Sequence, residues 1–178
     1  KYDFELIENK WKETWKTKGT YKFDKKSKKP IFSVDTPPPT VSGSMHIGHA
    51  ASYSQQDFFV RYQRMKQNNV FFPFGTDDNG LPTERLVEKL KKVRSKTMGR
   101  GEFIDLCQET IKEIKPSFVK DWRDIGMSCD FETTYSTLDD HSIKTSQKSF
   151  LDLFEKKLAY QKSAPTMWCV SCQTAIAQ

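Results

Sequence analysis

Apolar residues recur at helical spacing in several segments of the chain, with polar loops between them. At the N-terminus, Phe4, Ile7, Trp11 and Trp15 form one stripe, and Gly19 follows it as a stop signal. This pattern predicts a helix over residues 3–18. Similar patterns predict further helices over about residues 45–67, 82–94, 102–125 and 139–158.

The helix ends carry local signals of their own. Ser42 or Ser44 is predicted to cap the second helix, and Pro82 suits the first turn of the third. Pro116 is expected to kink the fourth. In the last helix, the apolar residues that we expect to point inward are Ile143, Phe150, Leu151 and Phe154.

Short apolar runs at Ile31–Val34 and Val70–Phe74 predict two strands, each followed by a polar turn and then a helix. This alternation favours a parallel α/β sheet with right-handed crossovers. Tyr160–Trp168 is predicted as a further strand, and Met127–Thr137 as an irregular loop.

The composition is that of a soluble globular protein, with 36% hydrophobic and 29% charged residues. The net charge of +6 favours polyanionic partners, although charge alone is better explained by solvated surface lysines. The 4 cysteines are too few for a disulfide framework in a chain of this size. Two of them form a Cys-x-x-Cys, which points to metal or redox chemistry.

His46-Ile47-Gly48-His49 lies after a strand and a glycine-containing loop, at the predicted start of a helix. The free N–H groups and the positive dipole end of a helix N-terminus suit a phosphate chain. Two imidazoles there can stabilise charge on phosphate oxygens, and Gly48 leaves room for a flat base. The alternative is a pair of helical histidines around a packing glycine.

Three blocks together resemble the class I aminoacyl-tRNA synthetases, and most closely their valyl branch of archaeal type. The residues of these blocks are 37–50 (PPPTVSGSMHIGHA), 75–84 (GTDDNGLPTE) and 168–177 (WCVSCQTAIA). The resemblance implies the N-terminal half of a Rossmann-like parallel-sheet domain. It also implies ATP-dependent activation of valine and its transfer to tRNA(Val), with ATP and Mg²⁺ as substrate, in the cytoplasm.

Site residues follow from the same resemblance. It implies that His46 and His49 are catalytic and contact the ATP phosphates, and that Gly48 lies under the adenine. Pro39 and Thr40 would form the wall near the amino acid, Thr40 also contacting ATP. Asp77 would hold the ammonium group of valine, although an aspartate after a strand is often only a turn residue.

Cys169 and Cys172 have the spacing of half a tetrahedral zinc site. The resemblance implies a zinc knuckle there, at the start of a connective editing insertion in the full-length protein. Two further ligands would be needed. His141, Cys107 and Cys129 are interpreted as structural, and a redox role for the Cys-x-x-Cys lacks a thioredoxin-like context.

We expect three parts: an N-terminal helix and basic loop at 1–29, a catalytic half-domain at 30–163, and the start of the insertion at 164–178. The family's second, lysine-rich signature loop does not occur in the sequence. The chain is therefore expected to need the C-terminal part of the synthetase as a partner and to be weakly active alone.

Two other classes of activity remain open. Another synthetase of the Ile/Leu/Val group is possible, as is a small His-x-Gly-His nucleotidyltransferase, although the latter lack the triple-proline loop and the Cys-x-x-Cys. A non-catalytic nucleic-acid-binding module derived from a synthetase is disfavoured, because His46, Gly48, His49 and Asp77 are intact.

Overall fold

The computed structural model describes residues 2–176. These residues form two compact units, which are divided between Ser142 and Ile143. The three-part division at 29/30 and 163/164 stays a prediction.

The first unit alternates helices and strands. Its elements are α1 (Phe4–Lys18), β1 (Ile31–Ser33), α2 (Ile47–Met65), β2 (Asn69–Phe71), β3 (Pro73–Thr76), α3 (Leu81–Lys91), a 3₁₀ turn (Ser95–Thr97), α4 (Arg100–Asp124) and β4 (Asp130–Ser136). The helix α5 (Asp140–Glu155) begins at the end of this unit.

All strand pairs of the first unit are parallel. β1 pairs with β2 from Ile31↔Asn69 to Ser33↔Phe71, and β3 pairs with β4 from Pro73↔Asp130 to Thr76↔Ser136. Only Phe72 separates β2 from β3, so residues 69–76 run as one extended segment between β1 on one side and β4 on the other. The predicted half-Rossmann parallel fold is confirmed.

Local sequence explains most helix ends. The Asp3 side chain accepts a hydrogen bond from the Leu6 amide, and Gly19 ends α1 in the left-handed region with φ of 57°. Pro82 lies in the first turn of α3, as predicted. The structure has a single helix over Arg100–Asp124, with Pro116 inside it. The second helix differs from the prediction at its cap, which is His46 and neither Ser42 nor Ser44.

The segment 127–137 differs most from its prediction, because residues 130–136 form β4 and not an irregular loop. The predicted strand 70–74 is divided into β2 and β3, since the partner changes from β1 to β4 at Phe72.

The core lies between the sheet and the helices α2 and α4. Its buried side chains are Val41, Val60, Val70, Phe72, Phe74, Phe118, Trp122, Met127 and Cys129. Trp122 is fully buried and contacts the rings of Tyr53, Phe74 and Phe118, with centroid distances of 4.6, 6.1 and 5.9 Å. This tryptophan ties α2, β3 and α4 together.

The second unit holds the larger part of α5 and a small antiparallel hairpin of β5 (Trp168–Cys169) and β6 (Thr174–Ala175). The predicted strand over 160–168 is wrong except at its last residue. The inward orientation predicted for four α5 side chains is also wrong, because Ile143, Phe150, Leu151 and Phe154 are exposed. In residues 2–176, no helix is both long enough and apolar enough to cross a membrane.

Candidate active site

The start of α2 is organised by His46. Its backbone is extended, and its Nδ1 accepts hydrogen bonds from the amides of Gly48 and His49 at 3.1 and 3.3 Å. Both amides need a lone pair on Nδ1, so a neutral His46 carries its proton on Nε2. The imidazole therefore caps the helix and points its Nε2–H group away from it.

His49 stacks on His46, with ring centroids 3.8 Å apart and planes inclined by 18°. The ring of Trp122 also lies near the half-buried His49 ring, at a centroid distance of 5.9 Å. Burial lowers the pKa of His49, and repulsion from His46 lowers it further. Both effects favour the neutral imidazole. Within residues 2–176, His49 Nδ1 is buried and has no hydrogen-bond partner.

Gly48 lies close to the His46 ring. A Cβ added at Gly48 would come within 3.0 Å of Cε1 and Nδ1 of that ring. A side chain at position 48 would therefore crowd the His46 ring that caps the helix, whether or not a base binds there.

The segments that follow β1 and β3 are paired with each other. The Asp77 amide donates to the Pro39 carbonyl, the Val41 amide donates to the Asp77 carbonyl, and both distances are 2.9 Å. Thr40 and Asp77 form a parallel bridge. Two sequence-predicted site residues from separate motifs thus lie side by side at the carboxyl edge of the sheet.

The Asp77 carboxylate is held by two hydroxyl groups. Thr40 Oγ1 donates to Oδ2 at 3.2 Å, and Thr137 Oγ1 donates to Oδ1 at 3.1 Å. Asp77 is half-buried, and each oxygen retains a lone pair that could bind a cationic group. Thr137 was missed from the sequence, because the end of β4 was read there as an irregular loop.

Asp78 has a different role from its neighbour. It is buried, and its Oδ2 accepts hydrogen bonds from Lys115 Nζ at 2.8 Å and from Ser136 Oγ. The Asp78 side chain therefore joins α4 to the end of β4.

The start of α2 is anchored to its surroundings at two further points. The Met45 amide donates to Asp121 Oδ2 on α4 at 3.4 Å, and the Tyr53 hydroxyl donates to the Pro37 carbonyl at 2.7 Å. These bonds, together with the Trp122 contact, hold the histidine pair and the proline loop on the same framework of α2 and α4.

Cys169 and Cys172 lie on the hairpin of the second unit. The Cys172 amide donates to Cys169 Sγ at 3.3 Å. Among the described residues, no group of three or more His, Cys, Asp or Glu side chains could hold a metal ion. The pair offers two of the four donors that tetrahedral zinc requires. Burial raises the pKa of Cys129 and of Cys107, in keeping with structural roles.

A parallel half-sheet with a histidine-capped helix and an aspartate at its carboxyl edge defines a nucleotide-binding domain of the synthetase type. The family model for tRNA synthetases class I (I, L, M and V) matches residues 10–178, and the chain belongs to this family.

Valine–tRNA ligases are among the curated proteins that the chain resembles. The chain is 47% identical to that of Picrophilus torridus over 99% of its own length and 23% of the relative's. It is 46% identical to that of Thermoplasma acidophilum, over 99% of the chain and 22% of the relative. Among solved structures, the ternary complex of Agrobacterium radiobacter K84 LeuRS with tRNA and LeuAMS matches with a TM-score of 0.75 and 27% identity, over 99% of this chain and 21% of that one. The chain thus spans less than a quarter of the length of these relatives.

Proposed function

We propose that the chain carries the first half of the catalytic site of a valine–tRNA ligase, which activates valine with ATP and transfers it to tRNA(Val). The observation that carries this proposal is the pairing of Thr40 with Asp77. The half-buried Asp77 carboxylate accepts hydrogen bonds from two hydroxyl groups and lies at the sheet edge where open α/β sheets bind their ligands. The similarity to valine–tRNA ligases over 99% of the chain supports valine as the amino acid.

In the proposed reaction, a carboxylate oxygen of valine attacks the α-phosphorus of ATP. A new oxygen–phosphorus bond forms, the bond to the bridging oxygen breaks, and pyrophosphate leaves. The carboxylate is an adequate nucleophile, so the protein mainly positions the reactants and stabilises the charge on the phosphate.

Each candidate site residue has a separate role in this proposed reaction. Asp77 binds the ammonium group of valine, and Pro39 and Thr40 form the wall beside it. His46 presents Nε2–H toward the phosphates, since its Nδ1 is bonded to the helix. His49 supplies a neutral imidazole, and Gly48 leaves the adenine room to approach. Mg²⁺, bound with ATP, neutralises the phosphate charge.

The same proposal includes a zinc ion bound by Cys169 and Cys172 in the full-length protein, with two ligands from outside residues 2–176. Zinc would fix the hairpin, and its binding would require both thiols to be deprotonated. Under this proposal the protein acts in the cytoplasm, where ATP and tRNA are available.

The experiment is ATP–pyrophosphate exchange with each of the twenty amino acids, using the full-length gene product beside this chain. We expect valine to give the fastest exchange in the full-length protein and a slow rate in the chain alone. A maximum with isoleucine or leucine would instead assign the protein to a neighbouring branch. Exchange that is independent of any amino acid would contradict the synthetase function.

A further inference from the structure

One short segment of the chain contains many basic residues and no acidic one. Residues 89–101 contain six lysines and arginines and no acidic residue. The chain has 29 basic and 23 acidic residues, so the remaining 23 basic residues equal the acidic ones in number. This basic segment (89–101) therefore carries the whole net charge of +6.

The basic segment lies on the surface, where α3 ends, the 3₁₀ turn forms and α4 begins. Its six charged side chains are all exposed: Lys89, Lys91, Lys92, Arg94, Lys96 and Arg100. Lys91 forms an ion pair with Glu113 at 2.8 Å, which offsets its charge.

Interaction with helix dipoles explains only some of the basic residues in this segment. Lys89 and Lys91 lie in the last turn of α3, where cations stabilise the helix dipole. Lys92 and Arg94 follow the end of that helix, and Arg100 opens α4, where the dipole disfavours a cation. Lys92, Arg94 and Arg100 form no ion pair within residues 2–176. Their charge is thus available to an anionic partner.

The backbone of the segment is ordered. The Glu88 carboxylate accepts hydrogen bonds from the Ser95 amide and hydroxyl, both at 2.8 Å, and from Arg85 at 2.7 Å. The Thr97 amide bonds to the Arg94 carbonyl at 3.0 Å. Because the turn is already fixed, binding costs little loop entropy.

The segment is also within reach of the candidate site. α3 starts at Leu81, four residues after Asp77, and its 11 residues span about 16 Å at about 1.5 Å per residue. A nucleic acid whose end enters the site carries its next phosphates across distances of this order.

We propose that the basic segment is a docking surface for the phosphate backbone of tRNA, bound through Lys92, Arg94 and Arg100. This rests on the proposed function, which makes tRNA a substrate. Lysine and arginine bind phosphates without regard to base, so the surface adds affinity and orientation and leaves sequence selection to other contacts.

The test compares two variants of the full-length protein that lose equal charge. Lys92→Gln/Arg94→Gln/Arg100→Gln removes three charges from the basic segment. Lys25→Gln/Lys26→Gln/Lys28→Gln removes three exposed charges from the loop before β1. Binding of transcribed tRNA(Val) is measured across a salt series, and valine-dependent exchange is measured without tRNA.

For the basic-segment variant we expect the slope of log Kd against log salt to fall by roughly 2 to 3, at about 0.7–0.9 per lost phosphate contact. Its Kd at low salt should rise roughly tenfold or more, with exchange unchanged. The loop variant should keep the parent slope. Lys92→Arg/Arg94→Lys/Arg100→Lys, which retains the charge, should bind tRNA as the parent does.

Equal slopes in the two charge-removing variants would overturn the proposal. An unchanged slope combined with a loss of thermal stability would also overturn it, and would assign the segment to an acidic face of the remaining protein. Absence of valine-dependent exchange in the parent would instead overturn the proposed function. The salt dependence of tRNA binding could still be compared between the variants, because it does not require exchange activity.

Discussion

At the scale of single residues, a substitution at Asp77 should affect the binding of valine and the binding of ATP to different extents. Its carboxylate is oriented by Thr40 and Thr137, and we propose that it binds the ammonium group of valine. Asp77→Ala should weaken valine binding by about 3 kcal/mol, because the ligand's charge loses its partner. ATP binding should change little. Calorimetry with each ligand on the full-length protein measures both.

Asp105→Ala, which removes an exposed carboxylate from α4, is the matched control and should leave both affinities unchanged. Thr137→Val removes one orienting donor and should cost less than the loss of Asp77. Equal weakening of valine and ATP binding by Asp77→Ala would contradict the role.

His46 combines a cap and a phosphate contact, and two substitutions separate them. Asparagine is a strong N-cap, so His46→Asn should retain the start of α2 but lose the imidazole. His46→Ala should lose both, at about 1 kcal/mol of stability. Both variants, and His49→Ala, should slow adenylate formation by about 2–4 kcal/mol in activation free energy, with valine affinity nearly unchanged. Thermal unfolding and single-turnover rates are the measurements.

Recovery of the rate in His46→Asn would show that capping alone matters and that the imidazole has no part in phosphate transfer. A loss of valine affinity at an unchanged rate would be equally incompatible with the proposed role.

The motifs in the sequence predicted the candidate site residues but not the groups that form hydrogen bonds with them. The His46 cap was missed because histidine is not a preferred N-cap residue, whereas Ser42 and Ser44 are of preferred types. The hydrogen bond from Thr137 to Asp77 joins residues that are 60 positions apart, and no local sequence pattern predicts such a contact.

At the scale of elements, the helices were predicted well because their apolar stripes and end signals are local. The strands were harder to predict, since β4 has four exposed or half-exposed polar positions and lacks a clear alternation. Its Thr133, Thr134 and Tyr135 have high β-propensity and could have indicated a strand. The division between β2 and β3 depends on which neighbour each residue pairs with, which is a tertiary property.

Gly75 is paired with Tyr135 between β3 and β4 and lies against its ring. A Cβ at this position would lie 2.1 Å from Cζ of Tyr135, so an alanine would force the ring aside. Gly75→Ala should lower the free energy of unfolding by about 1–3 kcal/mol. In a Tyr135→Ala background the same change should cost less, because the clash is gone. Denaturant unfolding of the four proteins of this cycle measures the difference.

Gly101→Ala is the control, since Gly101 lies in α4 and nothing surrounds its Cβ position within 4 Å. Alanine there should stabilise the helix by about 0.5–1 kcal/mol. An equal cost of Gly75→Ala in both Tyr135 backgrounds would show that the ring is not the obstacle.

At the scale of the whole molecule, α2 exposes an apolar face that the described residues leave uncovered. Phe58, Phe59, Tyr62 and Met65 are 67%, 71%, 55% and 78% exposed. A patch of this kind favours association, so the isolated chain should self-associate at micromolar concentration. Phe59→Gln/Met65→Gln should shift sedimentation toward the monomer.

Leu90→Gln removes an exposed apolar side chain outside this face and should leave the association unchanged. A monomeric parent chain at all concentrations, or an equal effect of Leu90→Gln, would contradict the assignment of association to α2.

The burial of Trp122 has an optical consequence. The chain has four tryptophans; Trp11 and Trp168 are largely exposed, whereas Trp122 is fully buried beside His49. Indole emission shifts to shorter wavelength in an apolar environment, and a protonated imidazole nearby quenches it. Because burial lowers the pKa of His49, the blue edge of the emission spectrum should stay bright through neutral pH and lose intensity only in acid, which reports the protonation of His49 without any added label.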